Sequence, residues 1–193
     1  MKKNKKLFIV PGFGESVRSK NYRPVIKDAK MLGFTIIPIH IRWKLHVPMS
    51  YFIRQAEEKI LAAVPMPEDY ILGFSFGAYI IAVLALKKKF KGYIFCSLSP
   101  YFKDDLQYIP EETKKYFGKI FMNSLSQYSF PKNSNGRAWF IVGDKDWNIA
   151  IQRTHKAYRM WKGEKEIHVI KSVGHELWNE RYAKKIKTIL KKL

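Results

Sequence analysis

The sequence predicts an α/β fold: a doubly wound, mostly parallel sheet of six strands with helices on both faces. Three observations predict it. Short apolar runs rich in Ile, Val, Phe and Tyr alternate with stretches of helical periodicity along the whole chain. Most of these runs lack the polar alternation of a half-exposed strand, so they suit strands buried on both faces. The 193 residues, 47% of them hydrophobic, suffice for one domain with a full core and no disulfide staples.

The first strand is Lys6–Val10, ended by Pro11-Gly12. The basic run from Met1 to Lys6 imitates the start of a signal peptide. The apolar stretch Leu7–Val10 is too short for such a segment, which needs about 7–15 residues, and no small-residue cleavage site follows. Tyr22, Val25, Ile26 and Ala29 then fall at helical spacing, with Gly33 as the stop. Phe34–Ile41 is the second strand. Phe52, Ala56, Ile60 and Ala63 form the next helical face, with Ser50 as its N-cap and Pro65 past its end.

The third strand, Tyr70–Leu72, runs into Gly73-Phe74-Ser75-Phe76-Gly77 and a nearly all-apolar helix through Leu86, expected to lie in the interior. Tyr70 to Leu86 carries no charge and approaches the about 20 residues of a membrane span. Two glycines around a serine suit a tight turn better, so strand, turn and buried helix are expected and no transmembrane segment. Gly92–Ser97, Ala138–Val142 and Glu166–Ile170 complete the strands. The last helix, Leu177 to about Leu193, sets Tyr182, Ile186, Ile189 and Leu190 against the core and lysines outside.

Tyr101 to Gly136 interrupts this alternation and is longer than an ordinary connection. Its middle, Glu111–Gln127, reads as a helix carrying Tyr116, Phe117, Ile120, Phe121 and Leu125. Its end, Ser129–Gly136, reads as a loop. Within a single domain spanning 1–193, the segment is either a small lid over a pocket or an extra packed helix.

A formal net charge of +20 could serve an anionic partner. The lysines are spread along the chain, however, with denser groups at both termini and at 87–89. With no zinc-ligand cluster and no RNA-binding aromatic signature, nucleic acid is not the expected partner. Cys96 is the only cysteine and cannot form an internal disulfide, so a reducing, cytoplasmic setting is expected. Within Tyr93-Ile94-Phe95-Cys96 it reads as a small buried hydrophobe.

Chemistry concentrates at three strand ends. Ser75 sits between two glycines where a strand meets a helix, the context that gives G-x-S-x-G its meaning. Asp144 and Asp146 follow the fifth strand; His175 follows the sixth in Ser172-Val173-Gly174-His175. A serine hydroxyl is a poor nucleophile until an imidazole takes its proton, and a carboxylate must orient that imidazole and stabilise its cation. Ser75, an aspartate and His175 supply each role once, each just past a strand end. No metal or other cofactor is needed. His40 and His168 read as strand residues and His155 as lying on an exposed helix, while His46 could line the rim. Phe13, Phe74, Phe76, Tyr101, Phe102, Trp147 and Trp178 are the aromatics expected near the pocket.

With Pro11-Gly12-Phe13-Gly14, Gly73-Phe74-Ser75-Phe76-Gly77, Gly143-Asp144-Lys145-Asp146 and Gly174-His175 assembled, the chain resembles the α/β-hydrolases over about residues 6 to 190. It is similar to their compact, largely uncapped members, with no room for leading antiparallel strands before Lys6. The resemblance implies an oxyanion hole made by the backbone N–H groups of Phe13 and Phe76, although Pro11 stands where these proteins often have histidine. It also selects Asp146 over Asp144, because the carboxylate usually lies three positions after the glycine. Asp144 would then be a loop cap or ion-pair partner. The implied activity is serine hydrolysis of a small-molecule ester or thioester, with amide hydrolysis and acyl transfer using the same apparatus. The alternative is a ligand- or protein-binding member of the fold, since fold does not fix function.

Overall fold

The computed structural model describes residues 5–131 and 136–193. Met1–Asn4 of the basic N-terminal run and residues 132–135 of the expected loop lie outside the described residues. Strands β1 (Lys6–Val10), β2 (Thr35–Pro38), β3 (Tyr70–Phe74), β4 (Gly92–Cys96), β5 (Arg137–Gly143) and β6 (Lys165–Ile170) form one sheet in the order β2-β1-β3-β4-β5-β6. Every pairing is parallel. The chain leaves β1 for β2 on one side and then crosses to β3 on the other. This reversal opens a crevice beyond the carboxyl ends of β1 and β3, where ligands bind in open sheets of this type.

Alternating side chains divide between two cores, one on each face. Phe8, Val10, Tyr93 and Phe95 face one; Leu7, Ile9, Ile94 and Cys96 face the other. Helices α2 (Met49–Ala62), α3 (Phe76–Leu84), α4 (Glu111–Leu125) and α5 (Asn148–Met160) contribute to the first, and α1 (Arg23–Met31) and α6 (Glu180–Leu190) cover the second. All nine residues of α3 are buried, as its sequence requires. Burial also raises the pKa of the Cys96 thiol, as expected of a core hydrophobe. Among the described residues no helix is long and apolar enough to cross a membrane.

Several elements differ from expectation, each for a local reason. β2 stops at Pro38 because β1 ends at Val10: the Ile39 N–H still donates to Ile9 O at 2.9 Å, and little of β1 remains beyond that to pair with. His40 therefore lies exposed beyond the strand. Ser50 is not the N-cap of α2, which starts at Met49 after Pro48. The Met49 N–H donates instead to the buried Ser124 Oγ of α4 at 2.8 Å, a tertiary substitute for a local cap. α6 begins three residues later than predicted, where Asn179 accepts the Arg181 N–H at 3.0 Å.

The 101–136 segment contains a 3₁₀ turn over Lys103–Tyr108 and then α4, which is not continuous. Gly118 breaks it at φ 80°, ψ 164°. Beyond the break Phe121 and Leu125 are buried in the first core and Ile120 is exposed, as is Tyr116 before it. At the base, Asp105 forms a buried ion pair with Arg153 of α5 and accepts the Phe102 N–H at 3.2 Å. Burial pulls the Arg153 pKa down to about 10.

Candidate active site

The turn after β3 is shaped by close approach. A Cβ at Gly73 would lie 2.5 Å from Gly77 O, and one at Gly77 would lie 2.2 Å from Val10 O. Only glycine fits either place. Between them Ser75 takes φ 53°, ψ −115°, and its N–H donates to Cys96 O at 2.8 Å, fastening the turn to β4. A non-glycine residue with positive φ between strand and helix is strained, and such strain collects at functional sites.

The loops after β5 and β6 are tied together. Asp144 N–H donates to Ile170 O at 3.0 Å and Lys145 N–H to Val173 O at 2.9 Å. Asp144 Oδ1 accepts the Ser172 N–H at 2.6 Å, so Asp144 is the loop cap. Asp146 takes the other place: its Oδ1 lies 2.8 Å from His175 Nδ1 and accepts the Trp147 N–H at 2.7 Å, and its side chain is fully buried. His175 Nε2 lies 2.8 Å from Ser75 Oγ. The structure thus brings together the three side chains expected from the sequence. With Nδ1–H donated to Asp146, Nε2 is free to accept the Ser75 hydroxyl proton.

The imidazole is also clamped. Trp147 stacks on one face with centroids 4.3 Å apart and planes 10° apart, and Phe74 packs 4.9 Å away. Ser99, buried two residues beyond the end of β4's turn at Ser97, places Oγ 3.2 Å from Ser75 Oγ. If Ser75 gives its proton to His175, Ser99 is the donor in that pair.

Phe76 opens α3, so its N–H is among the first-turn donors that lack an acceptor within the helix. Phe13 lies in the loop after β1, its ring 5.6 Å from that of Phe76. Among the described residues neither N–H has an intramolecular acceptor. The loop is held by Glu15: its carboxylate accepts Gly12 N–H at 3.3 Å, Asn21 Nδ2–H at 3.0 Å and the Tyr22 hydroxyl. Its backbone oxygen accepts Trp43 Nε1–H at 2.8 Å. Burial first, and then the Glu15 charge, raise the pKa of the Tyr22 phenol, so it stays a donor.

These residues border a cavity of about 560 Å³, within the size range of small-molecule sites. Besides Ser75 and His175 its walls carry Phe13, Phe74, Phe76, Tyr101, Phe117 and Trp147, four of them shared with the aromatic cluster around Phe13 and Phe76. Phe102 does not reach it: it is buried 4.4 Å from Tyr79 under the pocket floor. Trp178 is exposed away from the lining, and His46 packs against the break in α4 rather than the rim. His155 is half-buried on α5, not exposed. Sequence reasoning missed Glu15, Ser99, Glu112 and Thr113, all in the lining. Ser99 alone had a usable signal, its place just past a strand end. Among the described residues no group of three or more His, Cys, Asp or Glu is placed to hold a metal ion.

No protein-family model matches the chain, and no curated protein matches it in sequence. Solved structures do. Alpha/beta hydrolase domain-containing protein 10 from mouse superposes with a TM-score of 0.80 at 16% identity, covering 98% of this chain and 89% of that one. Est1E from Butyrivibrio proteoclasticus, with ferulic acid bound, gives 0.77 at 12% identity over 97% and 87%. A monoacylglycerol lipase from Paleococcus ferrophilus gives 0.72 at 15% identity over 97% and 94%. At such identities the likeness establishes the fold.

Proposed function

From the α/β-hydrolase fold that this chain adopts, we propose that it is a serine hydrolase cleaving a carboxylic ester or thioester through an acyl-serine intermediate. The observation that carries this reading is the chain of two 2.8 Å contacts, Ser75 to His175 and His175 to a fully buried Asp146. Ser75 Oγ attacks the acyl carbon while His175 Nε2 takes its proton. The tetrahedral oxyanion is held by the N–H groups of Phe13 and Phe76, with the amino end of α3 adding its dipole. His175 then protonates the leaving alcohol or thiol, and the acyl–oxygen or acyl–sulfur bond breaks. Water attacks the acyl-serine with His175 as base, releasing the carboxylic acid and restoring Ser75.

The names of the superposing esterase and lipase favour an ester, and the aromatic walls favour an apolar acyl group. The half of α4 before Gly118 covers the pocket through Phe117 and Tyr116, and in this reading it is the lid, with the half after the break as its anchor.

The test is labelling by a fluorophosphonate, compared with Ser75→Ala and His175→Ala. Labelling of the native protein that vanishes in Ser75→Ala is the expected result. A folded native protein that does not label would overturn the reading and leave a non-catalytic binding role.

A further inference from the structure

The opposite edge of the sheet carries an unusual surface. The segment between α2 and β3 and the segment between α3 and β4 lie side by side at the amino ends of the two central strands, bordering one groove lined by Leu61, Val64, Pro65 and Lys87–Lys89. Four apolar side chains on these segments and the last turn of α2 stand in water: Leu61 is 47% exposed, Val64 66%, Met66 40% and Leu86 60%. They do not belong to a frayed loop. Met66 N–H donates to Asp69 Oδ2 at 2.8 Å, Asp69 N–H to Met66 O at 3.0 Å, and Lys6 N–H to Asp69 Oδ1 at 2.9 Å.

Val64 is the telling residue. It follows the end of α2 with φ 48°, the left-handed position that glycine or asparagine usually fills. A β-branched residue is a poor choice there on steric grounds, and an exposed one gains no burial in return. The Lys6 ammonium fixes this geometry, donating to Ala63 O at 2.7 Å and Val64 O at 2.8 Å. The lysine run Lys87–Lys89 borders the same groove. Of its acidic neighbours, Glu57 lies 3.9 Å from Lys87, and Glu68 is engaged by Lys91 at 2.9 Å.

We propose that this face docks on an anionic lipid surface, Val64, Met66, Leu61 and Leu86 entering the interface while Lys87–Lys89 meet the headgroup phosphates. Apolar tips beside clustered lysines match what such surfaces attract: hydrocarbon burial and anionic charge act together, and either alone is weak. Aliphatic rather than aromatic tips argue against nucleic acid, whose bases stack on rings. Docked this way, the pocket at the far edge faces the aqueous side, so the contact places the protein at the membrane without drawing substrate from it. The inference does not depend on the hydrolase reading.

The test is sedimentation of the full chain with phosphatidylcholine vesicles, with and without phosphatidylserine, and with duplex DNA in parallel. Binding is expected only to the vesicles with phosphatidylserine, and to weaken with salt. Replacement of Lys87, Lys88 and Lys89 by Gln should lower partitioning by about a hundredfold. The same charge change made at Lys20, Lys145 and Lys171, at the other edge, should lower it far less. Val64→Asn suits the left-handed position, so it should keep or raise the melting temperature while weakening binding severalfold. Equal loss from both lysine triples, indifference to Val64→Asn, equal binding to neutral vesicles, or binding to DNA instead would each overturn the proposal.

Discussion

The imidazole of His175 is held by neighbours of three kinds: a carboxylate at Nδ1, a hydroxyl at Nε2, and rings packed against its faces. The carboxylate sets the tautomer, so the proposed reaction separates the two aspartates sharply. Asp146→Asn should lower turnover of a model ester by about 10⁴-fold, the cost of presenting the wrong tautomer. Asp144→Asn, which touches only the Ser172 N–H, should leave turnover within about tenfold and act mainly on stability, as loss of a loop cap does. The reverse pattern would undo the assignment. Glu15 provides a second test. In Glu15→Ala the carboxylate that accepts Gly12 N–H and the Tyr22 hydroxyl is gone, so the loop carrying Phe13 loses its anchor. The rate constant for turnover should fall by about 10- to 100-fold with KM little changed, because the loss falls on the transition state. A raised KM with the turnover rate constant unchanged would mark Glu15 as a binding residue. The serine, histidine and acid were readable because each sits just past a strand at a small-residue turn. Glu15 was not, since a glutamate in a loop has no pattern until its partners come from Gly12, Asn21 and Tyr22 at once.

At the level of elements, the break in α4 matters most. Gly118 occupies a backbone region that is essentially closed to other residues, and a Cβ there would lie 2.2 Å from His46 Nδ1. Before the break, Glu112, Thr113, Tyr116 and Phe117 line the pocket; after it, Phe121 and Leu125 fill the core. Gly118→Ala should therefore lower stability by about 1–3 kcal/mol, read from the urea midpoint. Adding His46→Ala should recover only the part due to the clash and leave the backbone strain. Full recovery would mean the break is dictated by His46 rather than by glycine. The sequence shows the apolar stripe from Tyr116 to Leu125 but not the break, because helical periodicity survives a single non-helical residue. The same limit explains Ser50: a local cap motif is legible, whereas the actual partner of the α2 amino end, Ser124, is distant in sequence.

For the whole molecule, strand order and pairing decide which faces are wet. The six buried or half-buried runs were legible from composition, yet the edge positions of β2 and β6 were not, since apolar runs do not state their neighbours. β6 is the consequence: most of it is half-buried, with His168 beside Glu166 at 3.3 Å and Lys185 and Lys192 acting on it. Partial burial and then the Lys185 charge hold the His168 pKa below its ordinary 6.5, outweighing the pull of Glu166. The unfolded chain therefore takes up this proton first as the medium is acidified. Stability contributed by neutral His168 is present above 6.5 and is lost as pH falls through 6.5 towards the folded value. Glu166 behaves separately: burial raises its pKa, but hydrogen bonds from Arg137 and Trp139 win and hold it below 4.5. Its stabilising effect is lost only at more acid pH. His168→Gln should thus flatten the fall in melting temperature between about pH 7 and pH 5.5 and leave the fall below about pH 4.5 in place. If the variant reproduces the native profile across the upper window, His168 is not part of the acid response and the edge of the sheet is wetter than its packing implies.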